Sequence, residues 1–450
     1  MKMTRTRSAL LGTGAAVALL AAQVPASADE IEELRTQIQG LQDKMGKLEA
    51  AQRRKRRVAP AAAVEAGAKP RSWKLPGTNT SMQIGGYAKL DIIYDINSNQ
   101  GDGGSINLPG TPAAGSAAAN QQQHVRLHSR QSRFWIRTWT PTDWGEMETH
   151  LQVDFYGAGG NQVVSNSDTF RARHAYGRLG PVLAGMTWTT FMILEALPDI
   201  LDFSGPAGIQ FSRQPQLRYT HSFGGGTVAV FAIENPDNLG AFVNTGNAPL
   251  GTLLATQPDP VPDVVVGLTH TWGSGRASIR AIFGQLNWDD GAGVSDSAFM
   301  WGIAAGFGWR FNNNRTAIGA TFVYGRGIGR YMAASSGGPG AVANGVPNAF
   351  NVRAVTQYGG AIWIQQRWTN TLRSTLAYGR HRNDYVNQVA GGKAFAGSNP
   401  QDNWTVHANL IWQPVPNVNI GVEYIYGFNG IVNSANGEIH RVQVSFQYSF

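Results

Sequence analysis

The chain of 450 residues is 42% hydrophobic and only 15% charged, with 19 Phe, 13 Trp, 13 Tyr, 55 Gly and no Cys. This many aromatics exclude a disordered chain, the low charge excludes a basic nucleic-acid binder, and the missing cysteine excludes a disulfide framework, a thiolate zinc site and a cysteine nucleophile. The net charge of +8 is uneven: residues 1–70 hold 12 Lys and Arg against 7 Asp and Glu, and 22 of the 25 basic residues that follow are Arg, whose planar fork grips carboxylate or phosphate.

At the N-terminus, Lys2, Arg5 and Arg7 precede an apolar stretch over 9–22 that is too short to span a bilayer. Ala26-Ser27-Ala28 then offers a small-x-small cleavage site, so 1–28 reads as a secretory leader. Ile31, Leu34, Ile38, Leu41, Met45 and Leu48 follow at alternating steps of three and four. They predict a short coiled coil over 29–57, stable where something else already holds the chains together. The run from Arg53 to Arg57 closes it, either as a solvated helix end or as a contact for anionic lipid or cell wall. An Ala- and Pro-rich linker is expected over 58–75, and the main domain over 76–450.

Beyond the linker no apolar run is long enough for a transmembrane helix. Segments of about ten residues instead alternate apolar or aromatic with polar or small side chains, the pattern of a membrane-spanning β-barrel. The last shows it clearly: Val442, Val444, Phe446, Tyr448 and Phe450 on one face, Arg441, Gln443, Ser445, Gln447 and Ser449 on the other. Seven short turns, at 140–145, 179–181, 223–226, 273–275, 312–314, 368–370 and 414–417, alternate with eight longer connections. That arithmetic predicts an all-β fold, a 16-stranded antiparallel barrel with both termini on the short-turn, periplasmic side, in a bacterial outer membrane. Sixteen strands leave an aqueous channel, whereas about eight would be filled by side chains.

Strand parity then sorts the charges. With Phe134 and Ile136 outward, Arg133 and Arg137 point inward; Ala172 and Tyr176 outward send Arg171 and Arg173 inward; Leu217 and Tyr219 do the same for Arg218, and Ile279 and Phe283 for Arg276 and Arg280. Arg213 lies beside Pro215, where parity leaves its direction open. Asp91, Asp95, Glu148, Asp154, Glu423, His150 and His407 also face inward. Arginines lining a narrow passage favour anions, unless they are spent on the inward acids. The connection 193–212 carries Leu194, Leu197, Ile200, Leu201 and Phe203, too apolar for solvent. It is expected to fold into the barrel, with Glu195, Asp199 and Asp202 opposite the arginine wall.

No catalytic, metal-binding or cofactor-binding set emerges. His128-Ser129 and His221-Ser222 are adjacent on strands, so each pair points to opposite faces and cannot act as nucleophile and base.

Ser132-Arg133-Phe134, Phe170-Arg171-Ala172-Arg173-His174-Ala175-Tyr176-Gly177, Gly185-Met186-Thr187-Trp188, the run from Asp202 to Gly208, Arg213-Gln214-Pro215-Gln216-Leu217-Arg218-Tyr219 and Glu234-Asn235-Pro236 resemble the DcaP-like outer-membrane porins. The motifs are dense over about a hundred residues and continue as barrel pattern to Phe450. The resemblance implies a homotrimer of 16-stranded barrels with a periplasmic N-terminal coiled coil, in contact with outer-membrane lipid and lipopolysaccharide. It further implies a preference for small anionic solutes such as dicarboxylates, constriction arginines at Arg133, Arg171, Arg173 and Arg213, and a terminal assembly signal at Phe450. A non-selective general porin and an inert barrel linked to the cell wall are the alternative readings.

Overall fold

The computed structural model describes residues 28–57, 64–101, 103–161, 164–236, 242–244, 258–289, 293, 295–332, 341–346, 349–385, 400–432 and 434–450. The expected leader, apart from Ala28, and the first part of the linker lie outside the described residues. Two compact units emerge, Met1–Glu65 and Ala66–Phe450. In the first, an α-helix spans Ala28–Arg57, and Leu34, Ile38, Leu41, Met45 and Leu48 stand exposed along it. The second takes in residues 66–75, which the composition had assigned to the linker: Trp73–Lys74 pairs with Met82 and Ser81.

Sixteen antiparallel strands close on themselves. They are β1 (Ser81–Asp95), β2 (in two segments, His124–His128 and Arg133–Thr142), β3 (Gly145–Asn161), β4 (Ser167–Leu179), β5 (Val182–Trp188), β6 (Arg213–Gly224), β7 (Thr227–Glu234) and β8 (Asp263–Trp272). There follow β9 (Gly275–Asp289), β10 (Ser295–Phe311), β11 (Thr316–Arg326), β12 (Thr356–Arg367), β13 (Leu372–Asp384), β14 (Pro400–Trp412), β15 (Val418–Ile431) and β16 (Gly437–Ser449). Each pairs with its neighbours in sequence, and β16 returns to β1 in the register Tyr87↔Ser449 to Asp95↔Arg441. Beyond β16, Phe450 N–H donates to Gly86 O at 3.0 Å. No described helix is long and apolar enough to cross a membrane; in the closed sheet the backbone groups of each strand pair with its neighbours.

Alternation sets the faces. On β16, Arg441, Gln443 and Ser445 are buried inside while Tyr448 is exposed outside. On β9, Ile279 and Phe283 face out. The short turns use the residues that tolerate a left-handed backbone, as in Asn312, Asn313 and Asn314, with φ of 53°, 53° and 62°.

Parity fails on β4. Gln152 pairs with His174 and Val153 with Ala172, so Arg173 is an extra, bulged residue. Arg171 and Arg173 both remain inside, but beyond the bulge the alternation inverts. Tyr176, expected outside, therefore faces the lumen, with its hydroxyl 3.3 Å from His150 Nδ1.

The core lies inside the barrel, where the connection between β5 and β6 packs against the wall. Phe191, Ile193 and Ala196 join Ile282, Ala304 and Val323 in one apolar cluster. Gly208, at φ +82°, sits so close to the wall that a Cβ would lie 2.1 Å from Arg380 O. Replacing Gly208 by Ala is therefore expected to lower barrel stability by roughly 1–3 kcal/mol, the cost of a non-glycine residue in strained backbone. The temperature at which the folded form disappears from a gel-shift assay measures this.

Candidate functional site

The connection 189–212 is tied to nearly the whole wall. Its base is closed by Thr189 N–H donating to Ser212 O at 3.0 Å. On β7, Glu234 accepts from the Thr189 hydroxyl and the Thr190 N–H, each at 2.6 Å. On β9, Ser278 donates to Glu195 and Arg280 to Thr190 O. Trp363 of β12 donates to Ala196 O at 2.8 Å, and Arg373 of β13 pairs with Asp199 at 2.7 Å. Thr405 of β14 accepts from Ala207 N–H, and Glu423 of β15 from Leu201 N–H at 2.7 Å. Lys89 of β1 and Gln443 of β16 both donate to Leu201 O, at 3.0 and 3.1 Å.

Among the described residues, no hydrogen bond or ion pair ties this segment to β3 or β4, and the inner face left beside it belongs to β2–β6. There the arginines gather. Arg171 makes a bidentate pair with Asp154 at 3.0 and 2.8 Å, while Arg173 binds the same carboxylate at 2.7 Å and Gln152 at 2.9 Å. Arg213, whose direction parity left open, begins β6 where the chain rejoins the wall. Its guanidinium lies 4.9 Å from the Trp188 ring centroid, and that of Arg133 4.9 Å from Tyr87. Among the described residues neither has a carboxylate within ion-pairing distance, and no acceptor reaches Arg133 Nε or Arg213 Nη1. Four arginines against Asp154 leave this patch at +3.

Aromatic rings brace it. Phe203 stacks on Tyr156 at 4.6 Å and lies 5.3 and 5.5 Å from the Arg171 and Arg173 guanidiniums; Trp188 packs on Phe211. A ring against the flat face of a guanidinium fixes its plane while the N–H edge stays free to donate. Between them lies a cavity of about 540 Å³, lined also by Ser204, Ser212 and Arg330. Inward arginines continue toward the short-turn end. Arg137 sits opposite His150, Arg178 and Arg218 flank Leu183, and Arg276 lies next to the turn at 273–274.

Two expectations are corrected. Glu195, Asp199 and Asp202 do not oppose the arginine wall. Glu195 and Asp199 bind β9 and β13, while buried Asp202 accepts the Ile106 N–H at 2.9 Å; burial pushes its carboxyl above the usual range. Phe203 takes the position expected of the acids. Arg280 is likewise no lumen ligand, since its donors go to the carbonyls of Thr190, Leu268 and Ile279 and to the Thr269 hydroxyl.

The sequence reading missed the contribution of other loops. Tyr156 donates to Gly104 O, Ser105 meets Ser204 at 2.9 Å, and Ile106 and Leu108 are buried, so the first connection also folds inward. Arg330 and Tyr331 arrive from the connection after β11, with Tyr331 O accepting from Phe211 N–H. Two apolar residues in a glycine- and alanine-rich stretch were the only available signal for the first; the second had none. His407, though inward, is buried against Glu423 at 3.0 Å rather than open to the channel.

The profile of the DcaP outer membrane protein family matches residues 20–450. Among solved structures, the outer membrane channel DcaP of Acinetobacter baumannii is similar at 22% identity, covering 86% of this chain and 100% of that one, with a TM-score of 0.70. The anion-selective porin from Comamonas acidovorans shares 11% identity over 82% of this chain and 100% of its own, TM-score 0.50. OmpF of Salmonella typhi, in complex with daunomycin, shares 12% over 82% and 98%, TM-score 0.50. Comparison with curated proteins gives no significant match.

Proposed function

The chain belongs to the DcaP outer membrane protein family and forms a porin channel rather than an enzyme, and from that premise we propose that it is an anion-preferring diffusion channel for small hydrophilic solutes. The observation that carries this is the placement of the net-positive patch on the stretch of wall beside which the inner loop leaves room. A solute passing the constriction meets Arg133 and Arg213, neither of which has a carboxylate within ion-pairing distance among the described residues, in a passage whose low-dielectric walls strengthen the attraction. Two such forks flanking the Asp154-bound pair suit a dicarboxylate better than a monocarboxylate. The fold is shared with a protein described as an anion-selective porin, which agrees with this reading.

We further place the chain as a homotrimer, its helical stripe of exposed Leu, Ile and Met side chains forming a periplasmic coiled coil, and Phe450 acting as the assembly signal. The test is the reversal potential of the purified protein in a planar bilayer under a potassium chloride gradient. An anion-signed potential in triple conductance steps is expected, with stronger current block by succinate than by acetate. A cation-signed potential would overturn the anion reading, and equal block the dicarboxylate preference.

A further inference from the structure

The outer face of the barrel carries a second arginine group that the channel does not use. We propose that the wall at the loop end of β10–β13 is a binding site for the phosphorylated head group of an outer-leaflet glycolipid, held by Arg326 and Arg353.

Strand direction fixes the level. β11 starts at the short turn and ends on Arg326, so Arg326 lies at the end of the long connections, the outer-leaflet side. Ile318, Phe322 and Tyr324 share its outward parity, and Phe322 is exposed. An aromatic row runs from Trp301, directly opposite Arg326, to Tyr324 and Tyr358 one step below it, with Trp301 and Tyr324 5.8 Å apart and Tyr324 and Tyr358 6.4 Å apart. Such a row marks the interface between hydrocarbon and head groups, so the next side chains outward sit at the depth of lipid phosphates.

At that depth Arg326, exposed, and Arg353, half-buried on the short strand Ala349–Ala354, border a cavity of about 400 Å³ whose other side is Phe299 and Trp301. Among the described residues, no carboxylate lies within ion-pairing distance of either arginine. Nearby acids are engaged or offset: Asp296 accepts the Val352 N–H at 2.7 Å, and Asp402 holds Arg380 through two bonds at 2.8 and 2.6 Å, leaving Arg382 3.7 Å away. Asp384 lies across Thr356 from Arg326 on the same face. Two unpaired forks above an apolar, outward-facing surface match an amphiphile, with phosphate oxygens on the guanidiniums and acyl chains along Ile303 and Phe322, both exposed on the turn side of Arg326.

The experiment is native mass spectrometry of the full-length protein in detergent, titrated with bis-phosphorylated lipid A and, separately, with the same lipid dephosphorylated. The phosphorylated form is expected to bind at least ~10-fold more tightly, and the R326Q/R353Q double variant to lose that difference, as two charge-assisted contacts imply. Equal binding of the two lipids to the unsubstituted protein, a comparison needing no variant, would overturn the proposal. So would undiminished binding by a double variant whose conductance steps show a folded channel. Inorganic phosphate is the last arm: full displacement of lipid A by low-millimolar phosphate would identify a free-anion site and also overturn it. The proposal does not depend on the ion preference of the lumen.

Discussion

Replacing both Arg133 and Arg213 by Glu is expected to reverse the sign of the reversal potential. The patch they share with Arg171, Arg173 and Asp154 passes from +3 to −1, and these two arginines are the pair whose removal breaks no ion pair. A unit charge about 5 Å from a permeating ion contributes ~3 kcal/mol at an effective dielectric of ~20, and less where lumen water screens it. Even about 1.4 kcal/mol is a tenfold change in relative occupancy. An unchanged potential in a folded double variant would mean that the narrowest point lies elsewhere. Arg173→Glu would be a poor substitute. Arg173 is buried between Asp154 and Gln152, so its reversal sets two carboxylates against each other and is expected to destabilise the barrel by roughly 3–5 kcal/mol.

Glu423→Ala is expected to widen the channel. The carboxylate is fully buried, accepts the Leu201 N–H at 2.7 Å and the Asn409 amide at 3.0 Å, and faces His407. Its loss strands those buried donors at a cost of roughly 1–3 kcal/mol each, the desolvation penalty of a buried group left without a partner. The inner loop should lift from β15, raising the single-channel conductance and weakening ion preference, because solutes are no longer pressed against the arginines. Larger current steps with a reversal potential nearer zero are the expected readout. Unchanged steps would show that the contacts to β7, β12 and β14 hold the loop without β15.

Much of this was legible in the sequence because a barrel wall obeys one rule. Period-two alternation with a polar inner face, broken by seven short turns, is enough to count sixteen strands and to turn Arg133, Arg137, Arg171 and Arg218 inward. The rule fails where a strand departs from regular pairing. The bulge at Arg173 inverts everything after it, which moved Tyr176, and Arg213 lies at a strand's first residue, where its neighbours no longer set its direction. The loop acids were misplaced for another reason. Hydrophobicity shows that residues 193–212 must be buried, but which wall meets Asp199 or Glu195 depends on the path of the chain across the lumen, and no local pattern encodes that. The aromatic braces, Phe203 above all, could be read as apolar but not as partners of guanidiniums.

The carbonyl oxygen of Leu201 receives one hydrogen bond from the first strand and one from the last. It therefore straddles the line along which the two ends of the barrel sheet, more than 340 residues apart in sequence, are joined. The inner loop is thus also a cross-brace on the weldline of the cylinder. Separating β1 from β16 requires the loop to be drawn off at least one of them, so rupture of the wall and displacement of the inner loop are coupled.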